Sequence, residues 1–115
     1  MRHATFPASV AALLFAITAA AGQGSYATLA YGGIKCAGWT AVRAAKPLDA
    51  AVYEGWIFGF LSAYNAFVYK GPNIAEGTDI DALRGMIDTY CKQNAGEDLD
   101  SAAQALIKEL LKKNP

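Results

Sequence analysis

The sequence predicts an all-α domain, a small four-helix orthogonal bundle stapled by a single disulfide. Three observations predict it. Apolar residues recur at spacings of three and four from about Lys35 onward, the period of helices with one buried face. No stretch alternates apolar and polar residues around a turn dipeptide, so no hairpin is expected. The chain has two cysteines, Cys36 and Cys91, set far apart. With 115 residues it has room for one core and not for two.

Ten Lys and Arg balance ten Asp and Glu, and 54% of residues are hydrophobic against 17% charged. That composition excludes a disordered, highly charged chain. It also argues against a nucleic-acid partner, which requires a concentrated positive surface.

Residues 1–21 read as a secretory leader. Arg2 precedes an uncharged apolar run, Val10 to Ala21, and Ala19 and Ala21 form an A-x-A-like cleavage site. The run is about 12 residues, and a membrane span needs about 20, so no anchor is expected. Gly33-Ile34-Lys35 before Cys36 is not a lipobox, which argues against a lipid anchor as well. The expected location is the periplasm. One of the ten cations lies in the leader, so the remainder sets nine cations against ten carboxylates.

In an oxidising compartment, two cysteines in a small domain read as a disulfide with only one pairing available. Cys36–Cys91 would close a loop of about 55 residues, worth about 4 kcal/mol on the chain-entropy model. A zinc site is a poor fit, because two thiols cannot fill a tetrahedron and the single histidine, His3, falls in the leader.

Residues 22–33, rich in Gly and Tyr and without a period, are expected to form a flexible arm, and residues 34–115 the helical domain. A first helix is predicted over about Lys35 to Ala45, carrying Cys36, Trp39 and Val42, and Pro47 bounds it. The longest helix is predicted from about Leu48 to Val68, with Tyr53, Trp56, Ile57, Phe60, Leu61, Tyr64, Phe67 and Val68 on its apolar stripe. Ala51, Gly55, Gly59 and Ala63 form a row of small residues on another side. Two helical glycines cost about 1 kcal/mol each, so close approach of another helix to that row is expected. Tyr69 to Gly77 reads as a loop.

Thr78 is expected to cap a third helix, with Ile80, Leu83, Ile87, Tyr90 and Cys91 on its buried side and Asn94-Ala95-Gly96 ending it. A fourth helix begins at Asp98 or Asp100 and carries Leu99, Ala102, Ala103, Leu106, Ile107, Leu110 and Leu111 inward. The disulfide then joins the first helix to the third.

Catalytic signatures are absent from this pattern. There is no nucleophile elbow, phosphate-cradling loop or H-E-x-x-H, and no histidine beyond the leader. The expectation is a protein that is not an enzyme and takes no cofactor or metal. Glu54 is read as a carboxylate on the solvated rim paired with a lysine, rather than a buried acid of the catalytic kind.

The order and spacing of these elements resemble the HdeA/HdeB family of periplasmic acid-stress chaperones. The resemblance rests on Cys36 with Trp39 close behind, then Gly55-Trp56-Ile57-Phe58-Gly59-Phe60 running on to Asn65. It continues through Thr78-Asp79-Ile80-Asp81 to Cys91-Lys92-Gln93-Asn94-Ala95-Gly96-Glu97-Asp98-Leu99 and a terminal amphipathic helix. It implies an HdeA-like fold and a homodimer that parts and partly unfolds in acid. Exposed apolar faces would then hold protein clients, with Trp56, Phe58 and Phe60 as candidate contacts. A second resemblance, in the cadence of Ile87 through Leu111, is to exported immunity proteins of type VI secretion amidase toxins. It implies a cognate toxin as partner, with the Tyr69–Gly77 loop as the plug for its cleft.

Overall fold

The computed structural model describes residues 25–115. The leader and its cleavage site lie outside the described residues. Four helices follow one another, α1 (Cys36–Ala45), α2 (Pro47–Phe67), α3 (Ile80–Gln93) and α4 (Leu99–Lys113), and among the described residues there is no strand. The architecture is the all-α, disulfide-bonded four-helix fold that the apolar periodicity predicts.

Each helix start has its own local cause. α1 lacks a capping side chain, and the connection between α3 and α4 satisfies its leading amides instead. Cys36 N donates to Glu97 O at 2.8 Å and Ala37 N to Ala95 O at 3.2 Å, while Leu99 N donates back to Ile34 O at 3.0 Å. The Asn94-Ala95-Gly96 stretch is therefore both a helix stop and the seat of α1. α2 opens on a proline in its first turn, where a missing N–H costs nothing. Asp79, not Thr78, caps α3, its carboxylate accepting from Ala82 N at 2.8 Å. Thr78 falls one residue too early to reach that amide and instead accepts from Lys113 Nζ at 3.2 Å. Asp98 caps α4 in the same manner, accepting from Ser101 N at 2.9 Å.

The core joins Trp39 of α1, Ile57 and Leu61 of α2, Leu83 and Ile87 of α3, and Leu99, Leu106 and Leu110 of α4. Cys36 and Cys91 are bonded within it, with Cα atoms 4.7 Å apart, so α1 and α3 are covalently tied. Ile80, expected on the buried side of α3, is exposed, because α3 enters the bundle only one turn later at Leu83.

The loop between α2 and α3 is pinned. Ile74 is fully buried, and its N–H donates to Asn65 Oδ1 at 2.8 Å. Asn114, just past α4, donates from Nδ2 to Ile74 O and Glu76 O, and Tyr69 donates its hydroxyl proton to Asn114 O. Preceding α1, Ala30–Gly33 form one turn of 3-10 helix within the segment predicted as an arm.

Candidate functional site

Two features stand out, a charged joint inside the bundle and an exposed outer face on α2 with Asp49 as its one charge. The joint is built on Glu54. Only 8% of this residue is exposed, because the i, i+3, i+4 spacing from Ala50 to Ile57 and Leu61 turns its position toward the core. It pairs with two arginines, not with a lysine on the rim. Arg84 of α3 donates from Nε to Glu54 Oε1 at 2.7 Å, and Arg43 of α1 brings its guanidinium to 3.9 Å from the same oxygen. Burial explains the choice, since a planar guanidinium sheds water more readily than an ammonium.

The joint extends to Asp88. Arg43 donates from Nε and Nη2 to its two oxygens at 3.1 and 2.9 Å, and the buried Trp39 donates its indole N–H to Asp88 Oδ1 at 2.8 Å. Desolvation alone would push the Asp88 carboxyl up. The Arg43 and Trp39 hydrogen bonds, with the Arg43 charge, outweigh it and hold the pKa below its ordinary value. Arg43 is raised in turn, chiefly by Asp88. Asp81 accepts from Arg84 Nη1 at 2.7 Å, so the chain Asp81–Arg84–Glu54–Arg43–Asp88 runs across α3, α2 and α1.

The second feature is where the small-residue row lies. Ala51, Gly55, Gly59 and Ala63 are all exposed, and a Cβ added at either glycine would meet nothing among the described residues. The close helix approach expected from the sequence does not occur on this side. Leu48 and Phe67, at opposite ends of the same face, are 88% and 87% exposed, and Val52 is about half exposed. Asp49 is the one charged residue exposed on α2.

Trp56, Phe58 and Phe60 are half-buried and packed against the core. Trp56 and Phe60 come together, their ring centroids 5.5 Å apart, whereas Phe58 emerges on the opposite flank of α2, as 100° per residue requires. A shallow groove of about 540 Å³ between α3 and α4, floored by Met86, Tyr90 and Leu106, completes the surface. Among the described residues no cluster of His, Cys, Asp or Glu is placed to hold a metal ion, and no helix is long and apolar enough to cross a membrane.

These features define the class of protein as a disulfide-bonded helical bundle with a buried carboxylate–arginine joint. Comparison with protein-family models, with curated proteins and with solved structures finds no match.

Proposed function

We propose that the chain is a small exported protein-binding protein, an acid-stress chaperone of the HdeA/HdeB type that keeps periplasmic proteins from aggregating at low pH. The observation that carries this reading is the position of Glu54 between Arg43 and Arg84. Carboxylates lose their charge in strong acid and guanidinium groups do not. Acid therefore turns the joint between α2 and the α1–α3 pair from three carboxylates around two guanidinium groups into two cations without a counter-ion. Across the chain, nine cations beyond the leader would remain, a charge of about +9 that strains any compact state. The Cys36–Cys91 bond keeps α1 with α3, so α2 is the element released, and with it the apolar side that clients would bind.

At neutral pH the exposed face of α2 takes a second copy. The row Ala51, Gly55, Gly59, Ala63 reads the same in both directions, so an antiparallel two-fold partner sets small residues on small ones and opposes the helix dipoles. A 21-residue helix presents a strip about 31 Å by 10–12 Å. That is well under the roughly 800 Å² per partner of a stable interface, so the dimer is weak and parts readily.

The test is light scattering from an aggregating client held between about pH 2 and 3 with and without the protein. Suppressed scattering is expected. Unchanged scattering with the bundle still folded would overturn the reading.

A further inference from the structure

The segment before α1 occupies a surface that it holds at its two ends and by an aromatic contact between them. Gly32 is buried against Trp56, so closely that a Cβ built on it would clash with the six-membered ring of the indole and with the Thr28 side chain. At the other end the Tyr26 hydroxyl donates to Asp100, a nearly buried carboxylate on α4, and Gln104 donates from Nε2 to the tyrosine oxygen. Between them Tyr31 lies over Tyr53 at 5.2 Å, while Leu29 is 74% exposed.

Among the described residues no backbone hydrogen bond ties residues 25–33 to the bundle; Gly32 N and Ile34 N bond back within the segment, to Leu29 O and Tyr31 O. Ala30 sits at φ 54°, a left-handed conformation that costs a non-glycine residue about 1 kcal/mol. A strap held by packing and side-chain hydrogen bonds alone, and strained at Ala30, is one that another chain can replace.

We propose that the surface beneath it, from Trp56 and Tyr53 to Gln104 and Asp100, is a peptide-docking site occupied by the chain's own strap. Its external ligand is a segment of a protein partner that repeats the strap's register, a tyrosine followed at the Tyr26-to-Gly32 spacing by a glycine in a turn of 3-10 helix. The glycine is required because no side chain fits against Trp56. The tyrosine supplies a second donor to the buried Asp100 carboxylate, which also accepts from Gln104 Nε2 at 3.1 Å. Asp100 and Asp98 lie toward the tyrosine end, so the ligand carries no acidic residue there. The inference rests on the protein-binding reading but not on acid.

The experiment is fluorescence anisotropy of a labelled peptide copying residues 25–34, at neutral pH, against the full chain and its Gly32→Val variant. The valine expels the strap and leaves the site open. The variant should bind the peptide at least about tenfold more tightly than the unaltered chain, whose strap competes at high effective concentration. A peptide with valine in place of its glycine should not bind. Tyr26→Phe, which removes only the hydroxyl contact, should give a smaller gain and serves if Gly32→Val does not fold. Failure of the peptide to bind either folded variant, or equal binding of the valine peptide, would overturn the inference. Neither result depends on holding a client in acid, so the two proposals fail separately.

Discussion

Trp39 and Asp88 are joined across the α1–α3 boundary by a 2.8 Å hydrogen bond from the indole N–H to Oδ1. The indole lies wholly within the core while the carboxylate faces outward to Arg43, so a single acidic group links core packing to surface charge. The disulfide and this contact hold the same two helices together, one insensitive to acid and the other dependent on it.

Asp88→Asn therefore removes the pH-sensitive half of that connection. A carboxyl whose pKa is depressed on folding stabilises the fold above its unfolded pKa, near 3.9, and loses that contribution as pH falls through the folded value. The variant should lose about 1–2 kcal/mol at neutral pH, a figure set by hydrogen bonds to a partly exposed charge. Its stability should also vary less with pH below about 4. Urea unfolding at several pH values measures both.

Glu54→Gln should reproduce in part at neutral pH what acid does. Breaking a buried ion pair costs 3–5 kcal/mol, and because both arginines retain access to water the loss here should be about 2–3 kcal/mol. Binding of an apolar dye should rise at neutral pH as α2 loosens. Dye binding equal to that of the unaltered protein would show that the joint does not hold α2.

Gly55→Ala and Gly59→Ala should each stabilise the isolated chain by about 0.5–1 kcal/mol. Among the described residues a Cβ meets nothing at either position, and alanine favours the helix. The same changes should weaken self-association if the two-fold contact uses this face. Thermal melts at low concentration and sedimentation equilibrium separate the two effects.

Replacing both Cys36 and Cys91 by serine should cost about 2–5 kcal/mol. The loss should be more damaging in acid than at neutral pH, because the bond then opposes charge repulsion. Recovery of helical signal on returning from acid, measured by circular dichroism, should be impaired in this variant and intact in the bonded protein.

The helices and the covalent pairing were legible because each rests on a local or forced signal, the periodicity of Leu99 to Leu111 and the existence of only two thiols. The start of α4 reads from the sequence as Asp98 or Asp100, and backbone geometry selects Asp98. The α3 cap expected at Thr78 falls instead on Asp79, since both are good capping residues and only backbone geometry decides. Glu54 was misplaced because a carboxylate in an apolar helix is ordinarily turned outward, and its partners Arg43 and Arg84 are distant in sequence. Periodicity did hold a clue, since Glu54 sits between Ala50 and Ile57 on the same side. The exposure of Gly55 and Gly59 was not legible, because a smooth row can serve an internal neighbour or an external one. Ile74 and the strap were missed for want of any period; the flanking Asn65 and Asn114 that pin Ile74 carry no signal of their own.

The central claim is that acid releases α2 from an α1–α3 pair that stays bonded. Amide hydrogen exchange by mass spectrometry, compared between neutral pH and about pH 2.5 after correction for intrinsic rates, tests it most directly. The account predicts that protection falls first across residues 47–67 while the segments around Cys36 and Cys91 retain it. Uniform protection in all four helices at the lower pH, or simultaneous loss from all of them, would contradict it.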